Sequence, residues 1–264
     1  MNYRCRWHRW IGVCLAMLVV SCVEARTPPV PPTYTLTSPA RKKKYPALFC
    51  TPFQETAVGV SFVHQGYTTI DYTQALARAL RQLSWSKRVR VQREQLVEQT
   101  PEGLALRGQK IDLLEVPSVA LEAYRADTLL VDGRAWVSVR LDKDGGPSWG
   151  QWGYFKPDLP KWIKTLPKDA DWSYASGSAN APYRDEAGSW ELATYRALIE
   201  LAVNLGKIRN SDWGVDQAVH GATILSVDTR LEGFRVAARW RDDNHLYVLV
   251  RVPRAGAVSL LEDP

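Results

Sequence analysis

The chain has 264 residues, 45% of them hydrophobic and 23% charged, and the part that follows its amino-terminal segments is long enough for one large domain or two small ones. Its formal charge is +6, but Arg4, Arg6 and Arg9 stand in a leader without acids, so half of the surplus goes with the leader; the modest remainder does not argue for a nucleic-acid partner, and the expected export argues against one. The four cysteines form no C-x-x-C pair and His8, His64, His220 and His245 are scattered, which leaves no metal-ligand spacing and no cofactor motif.

Residues 1–21 read as a secretory signal peptide: a basic start, then an apolar run over 11–20 that is too short to span a bilayer permanently. Val19-Val20-Ser21-Cys22 fits the pattern at which bacterial lipoproteins are cut before an acylated cysteine, so Cys22 is the expected lipidation site. Val23-Glu24-Ala25 also fits ordinary cleavage after a small residue, which would free the protein from the membrane. With Cys22 lipidated, Cys50 is a lone thiol in an oxidising compartment, expected as a buried small hydrophobe; a Cys22–Cys50 disulfide is the rival.

Residues 22–44 form a linker carrying Pro28, Pro29, Pro31, Pro32 and Pro39, a composition that favours extended polyproline geometry and spans up to roughly 70 Å between Cys22 and Tyr45. Its end, Arg41, Lys42, Lys43 and Lys44, is either a membrane-surface contact, at about 1 kcal/mol per residue on anionic head groups, or a solvated linker end.

The folded part is expected to be α+β. In residues 45–141 the pattern predicts a small α/β module: a buried strand over 45–52, a helix over 71–82 with Leu76, Ala79, Leu80 and Leu83 on one face, and a strand over 88–92. A short helix over 117–124 and two strands broken at Gly133 within 128–141 complete it. Residues 142–181 form an aromatic-rich connection with Trp149, Trp152, Tyr154, Phe155, Trp162 and Trp172, which either pin a loop to the core or line a sugar groove.

Residues 182–255 predict a long helix over 185–205, with a stripe of Trp190, Ala193, Ala197, Leu198, Leu201 and Leu205, packed on an antiparallel three-stranded meander over 222–252. In its second strand Phe234, Val236, Ala238 and Trp240 are expected on one side and Arg235, Arg239 and Arg241 on the other. Residues 256–264 read as a tail. The residues around Trp149 to Trp162 are expected to pack across from the first half and join the halves into one cooperative unit.

Nothing assembles a catalytic centre. His245 beside Asp242 and Asp243 fits a polar hairpin tip, Asp169 and Asp171 fit a turn, and residues 174–179 fit a small-residue strand or turn in place of a nucleophile elbow.

Pro160-Lys161-Trp162, Leu166-Pro167, Tyr174-Ala175-Ser176-Gly177, the alanine-spaced helix over 187–205 and the runs 234–240 and 246–253 resemble the Lpp-twenty lipoprotein family over about residues 160–253. These are exported bacterial lipoproteins, several associated with flagellar assembly at the outer membrane. Residues 46–53, 75–83, 88–92 and Ala126-Asp127-Thr128-Leu129-Leu130-Val131-Asp132-Gly133 resemble, more faintly, the amino-terminal domain of TolB and its lipoprotein relatives, which bind protein partners and carry no catalytic residues.

The resemblances imply lipidation at Cys22 and a non-enzymatic scaffold or assembly factor on the periplasmic face of the outer membrane, with envelope or flagellar proteins as partners and the outer-membrane lipid as anchor. Alternatives are a tethered activator of a peptidoglycan synthase, or a glycan- or peptidoglycan-binding domain that uses the central tryptophans.

Overall fold

The computed structural model describes residues 44–52, 56–62, 68–100, 103–115, 124–140, 149–155, 158–181, 185–212 and 222–261. These residues fold as mixed α and β, with four antiparallel sheets and four helices among them.

The first layer is a helix on a three-stranded sheet. Strands β2 (Thr56–Phe62), β5 (Arg125–Val131) and β6 (Arg134–Arg140) pair in the order β2-β6-β5. The central strand β6 is buried from Arg134 to Val139, and β5 and β6 turn at Asp132 and Gly133, where the break was expected. Helix α2 (Thr68–Lys87), which follows the one-turn helix α1 (Ala47–Cys50) in the chain, lies across this sheet with Ala75, Ala79 and Leu83 packed against Ala57, Val137 and Val139. It is longer at both ends than the expected 71–82, because its buried face continues to Trp85.

The second layer repeats the arrangement. Strands β8 (Trp172–Asn180), β11 (Arg235–Arg241) and β12 (His245–Pro253) pair in the order β11-β12-β8, and α4 (Glu186–Leu205) covers them. Asp185 caps α4 by accepting from the Gly188 amide at 2.9 Å, and the expected stripe of Trp190, Ala193, Ala197, Leu198 and Leu201 is buried.

Both helices approach their sheets closer than a side chain permits. A Cβ on Gly59 of β2 would collide with the Ala75 carbonyl and Ala79 amide of α2, and one on Gly177 of β8 with the Ala193 carbonyl and Ala197 amide of α4. Glycine in the strand facing an alanine pair four apart on the helix lets backbone rest on backbone.

The third sheet ties the halves together. Strand β3 (Val89–Thr100) forms a long hairpin with β4 (Gly103–Glu115), and its other edge takes β10 (Ala222–Leu231) from Val89 opposite Leu231 to Glu98 opposite Ala222. The outer edge of β10 carries β9 (Arg209–Asp212) near one end and β13 (Ala257–Ser259) near the other.

The expected meander over 222–252 is therefore corrected. Its first run, β10, pairs with β3, and β8 takes the free place beside β12. The physical reason is register: Val227, Thr229 and Leu231 of β10 stand opposite Arg93, Val91 and Val89, so the buried ends of β3 and β10 share one apolar face. Residues 256–264, read as a tail, supply β13 after a single 3₁₀ turn (Arg254–Gly256).

The expected strand over 45–52 is also corrected. Only β1 (Tyr45–Pro46) is extended, pairing with β7 (Trp152–Gly153), and Ala47–Cys50 closes as the one-turn helix α1, its Thr51 amide donating to the Ala47 carbonyl at 2.9 Å. Pro46 and Pro52 bracket too few residues for a ladder, and the turn lets Leu48 and Phe49 both face inward. The fourth helix, α3 (Lys161–Lys164), is another single turn.

Trp149, Trp152 and Phe155 pack against the main core, which unites Trp136 of the first layer with Trp190 of the second, as the sequence led us to expect of this aromatic stretch.

Gly177→Ala should lower stability by about 3 kcal/mol, because a methyl group there meets helix backbone and the helix must lift. The check is a urea unfolding curve in which the midpoint falls while the slope is unchanged.

Candidate functional site

In β11 one extra residue changes what reaches the centre. Val236 stands opposite Val250 but Ala238 stands opposite Leu249, so Ala237 is bulged out. Beyond it Arg239 faces Val248 and Arg241 faces Leu246, on the same side of the sheet as Val236 and the Gly177 that touches α4. Of the arginines expected on the outer face, Arg239 and Arg241 are thereby turned inward while Arg235, before the bulge and opposite Arg251, stays outward, and Trp240 moves to the opposite side, where its ring meets that of Tyr247 at 5.6 Å.

Arg241 finds a counter-charge. Its Nη1 donates to the Tyr45 hydroxyl at 3.0 Å and lies 3.3 Å from Oε2 of Glu186, which is only 3% exposed. Tyr45 donates to Oε1 of the same carboxylate, and so does the Trp190 indole N–H at 3.3 Å. A buried carboxylate with three donors satisfies its own desolvation. Burial, and then the charge of Glu186, raises the Tyr45 pKa well above the ordinary phenol value, so this hydroxyl remains a donor throughout the accessible pH range. Around it Tyr45, Phe49, Trp136, Phe155 and Trp190 form a ring cluster, with Phe49 at 5.0 Å from Trp136 and 5.3 Å from Trp190.

Arg239 is paired differently. It donates to the Phe49 carbonyl at 2.7 Å and to the Gln82 side-chain oxygen at 3.0 Å, and its guanidinium lies 4.2 Å over the Phe49 ring. Among the described residues no carboxylate forms an ion pair with it. Burial pulls its pKa down to about 9, which still leaves a cation at neutral pH. Nearby Cys50 is half-buried, and burial pushes its thiol up to about 11.

An open apolar groove of about 390 Å³ lies between the end of α2, the first half of α4 and β4. Trp85, Leu113, Leu192 and Tyr195 line it with Arg81 and Glu191, and Leu192 is 41% exposed. Strand β4 is the outer strand of its sheet, so along thirteen residues one edge has no strand beside it among the described residues, and Leu106 and Leu114 on it are exposed. This strand has no counterpart in the sequence reading, because Gly103, Gly108 and its mixed polar residues blur the alternation.

Cys22, Arg41, Lys42 and Lys43 lie outside the described residues, as do residues 117–123 of the expected short helix. Lys44, the first described residue, holds its ammonium 5.5 Å over the Tyr154 ring and its carbonyl accepts from Arg134 at 3.4 Å. His245 sits exposed with Nδ1 3.7 Å from Asp242, at a hairpin turn that Asp242 closes by accepting the His245 amide. Asp169 accepts the amides of Asp171 and Trp172, as a turn residue does, and residues 174–179 lie within β8. Among the described residues no three of His, Cys, Asp and Glu come together as a metal site, and no helix is long and apolar enough to cross a membrane. The polar centre of Tyr45, Glu186, Arg239 and Arg241 escaped the sequence reading, since its members are up to 196 residues apart and only the bulge brings the arginines in.

No protein-family model, no curated protein and no solved structure matches the chain.

At pH 8 the raised pKa should make Cys50 react with iodoacetamide about a hundredfold more slowly than an ordinary thiol, with the ordinary rate restored in urea. Mass spectrometry of the Cys50 peptide measures both rates; equal rates in the two conditions would contradict the burial of the thiol.

Proposed function

We propose that this protein is a non-enzymatic scaffold of the bacterial cell envelope, tethered through lipidated Cys22, with a folded body that binds a protein partner along β4 and the groove beside it. The observation that carries the reading is the outer strand itself: thirteen residues of β4, with Leu106 and Leu114 exposed, next to an apolar groove in which Leu192 is also exposed. An extended segment of a partner can add to such an edge through main-chain hydrogen bonds while its side chains enter the groove.

The buried polar centre supports a structural use of the ionisable groups, because Glu186 is saturated by donors from three other residues. The resemblance to the Lpp-twenty and TolB-related lipoproteins supports export, anchoring at the periplasmic face of the outer membrane, and an assembly role, with flagellar proteins as the first partners to test. The glycan-binding alternative has less support, since Trp149 and Trp152 pack against the core.

Photo-crosslinking residues placed at Leu106 and Leu192 should each capture the same envelope protein in living cells, while one placed at the exposed Lys164 of α3 should not. Adducts at none of the three positions, or equally at all, would remove β4 as the partner surface. Cys22→Ser should abolish lipid labelling and move the protein out of the membrane fraction. Wild-type protein without label would place the cut after Ala25.

A further inference from the structure

A cavity of about 30 Å³ lies among α1, α2, β2, α4 and β11, and shares Arg81, Trp85 and Glu191 with the groove beside β4. About 10 to 15 Å³ of such space accommodates one water, so it has room for two waters or a single monatomic ion. Its charged lining is lopsided. Arg78, Arg81 and Arg239 contribute three cations and Glu191 a single carboxylate. Glu191 is shared, with Oε2 accepting from Arg78 Nε at 3.2 Å and Oε1 paired with Arg81. Arg78 spends a further donor on the Val60 carbonyl at 3.0 Å.

Arg239 is the unbalanced member. It is 5% exposed, has only neutral acceptors in Phe49 and Gln82, and its Nε has no hydrogen-bond partner. A buried cation that lacks a counter-charge is held at an electrostatic cost unless something compensates it. Arg81, whose side chain is about half exposed, borders the same cavity. Apolar walls from Phe49, Val58, Trp85 and Trp190 lower the local dielectric, which strengthens attraction for an anion that enters.

We infer that this cavity is a binding site for one small monovalent anion, of the size of chloride, which neutralises Arg239 and joins α2 to β11.

The test uses the full chain at constant ionic strength, with chloride exchanged for gluconate, which is too large to enter. Chloride should raise Tm saturably, by about 3 °C once it is tenfold above its dissociation constant. Arg239→Met should abolish that dependence, and Arg78→Gln, at the less buried side of the cavity, should weaken it at least severalfold if Arg239→Met does not fold. In crystals grown or soaked with bromide, one anomalous peak should lie within hydrogen-bonding reach of the Arg239 guanidinium. Equal Tm in chloride and gluconate, water density alone in the cavity, or a chloride effect that survives both substitutions would overturn the site.

Discussion

The centre of this molecule depends on a single inserted residue in β11. Without the bulge at Ala237, strict alternation would carry Ala238 and Trp240 to the face beneath α4, and Arg239 and Arg241 away from it. With it, two guanidinium groups enter a region otherwise made of rings, and the rest of the centre answers that intrusion. Glu186, at the first turn of α4, meets Arg241; Tyr45 bridges the two; the Phe49 carbonyl and Gln82 hold Arg239. These partners come from β1, α1, α2 and α4, so a local feature of one strand determines how four other elements converge.

The same convergence explains why the first of the described residues are among the most buried. Tyr45 is 1% exposed although it directly follows the basic end of the proline-rich segment. Its strand is only two residues long and cannot hold by ladder hydrogen bonds alone, so the phenol inside the polar centre and the stacked Phe49 fasten it.

Much of the secondary structure was legible in the sequence. The stripe of α4, the alanine-spaced face of α2 and the turn between β5 and β6 are local signals in which periodicity and a turn residue agree. The failures were nonlocal. Residues 222–231 have an apolar alternation that suits either sheet, and only the match to Val89 and Val91 over a hundred residues away assigns them to β3. Strand β4 was missed because exposed leucines are interspersed with its polar residues and its inner face contributes only Ile111 and Leu113 to the core. Arg239 read as a solvent-facing charge because alternation carries no sign of a bulge, and with it the most unusual electrostatic feature of the molecule was hidden.

The pairing of β3 with β10 has a kinetic consequence. Val89 must find Leu231, so the sheet that links the two halves closes a loop of more than 130 residues. Such long-range closure slows folding, and until β10 arrives the β3–β4 hairpin is a two-stranded ribbon with both edges bare. During synthesis at about 5 to 20 residues per second that state persists for several seconds, a window in which the ribbon is open to β-aggregation and to any chaperone that recognises unpaired strands. The chain therefore completes its fold only after nearly all of it is available.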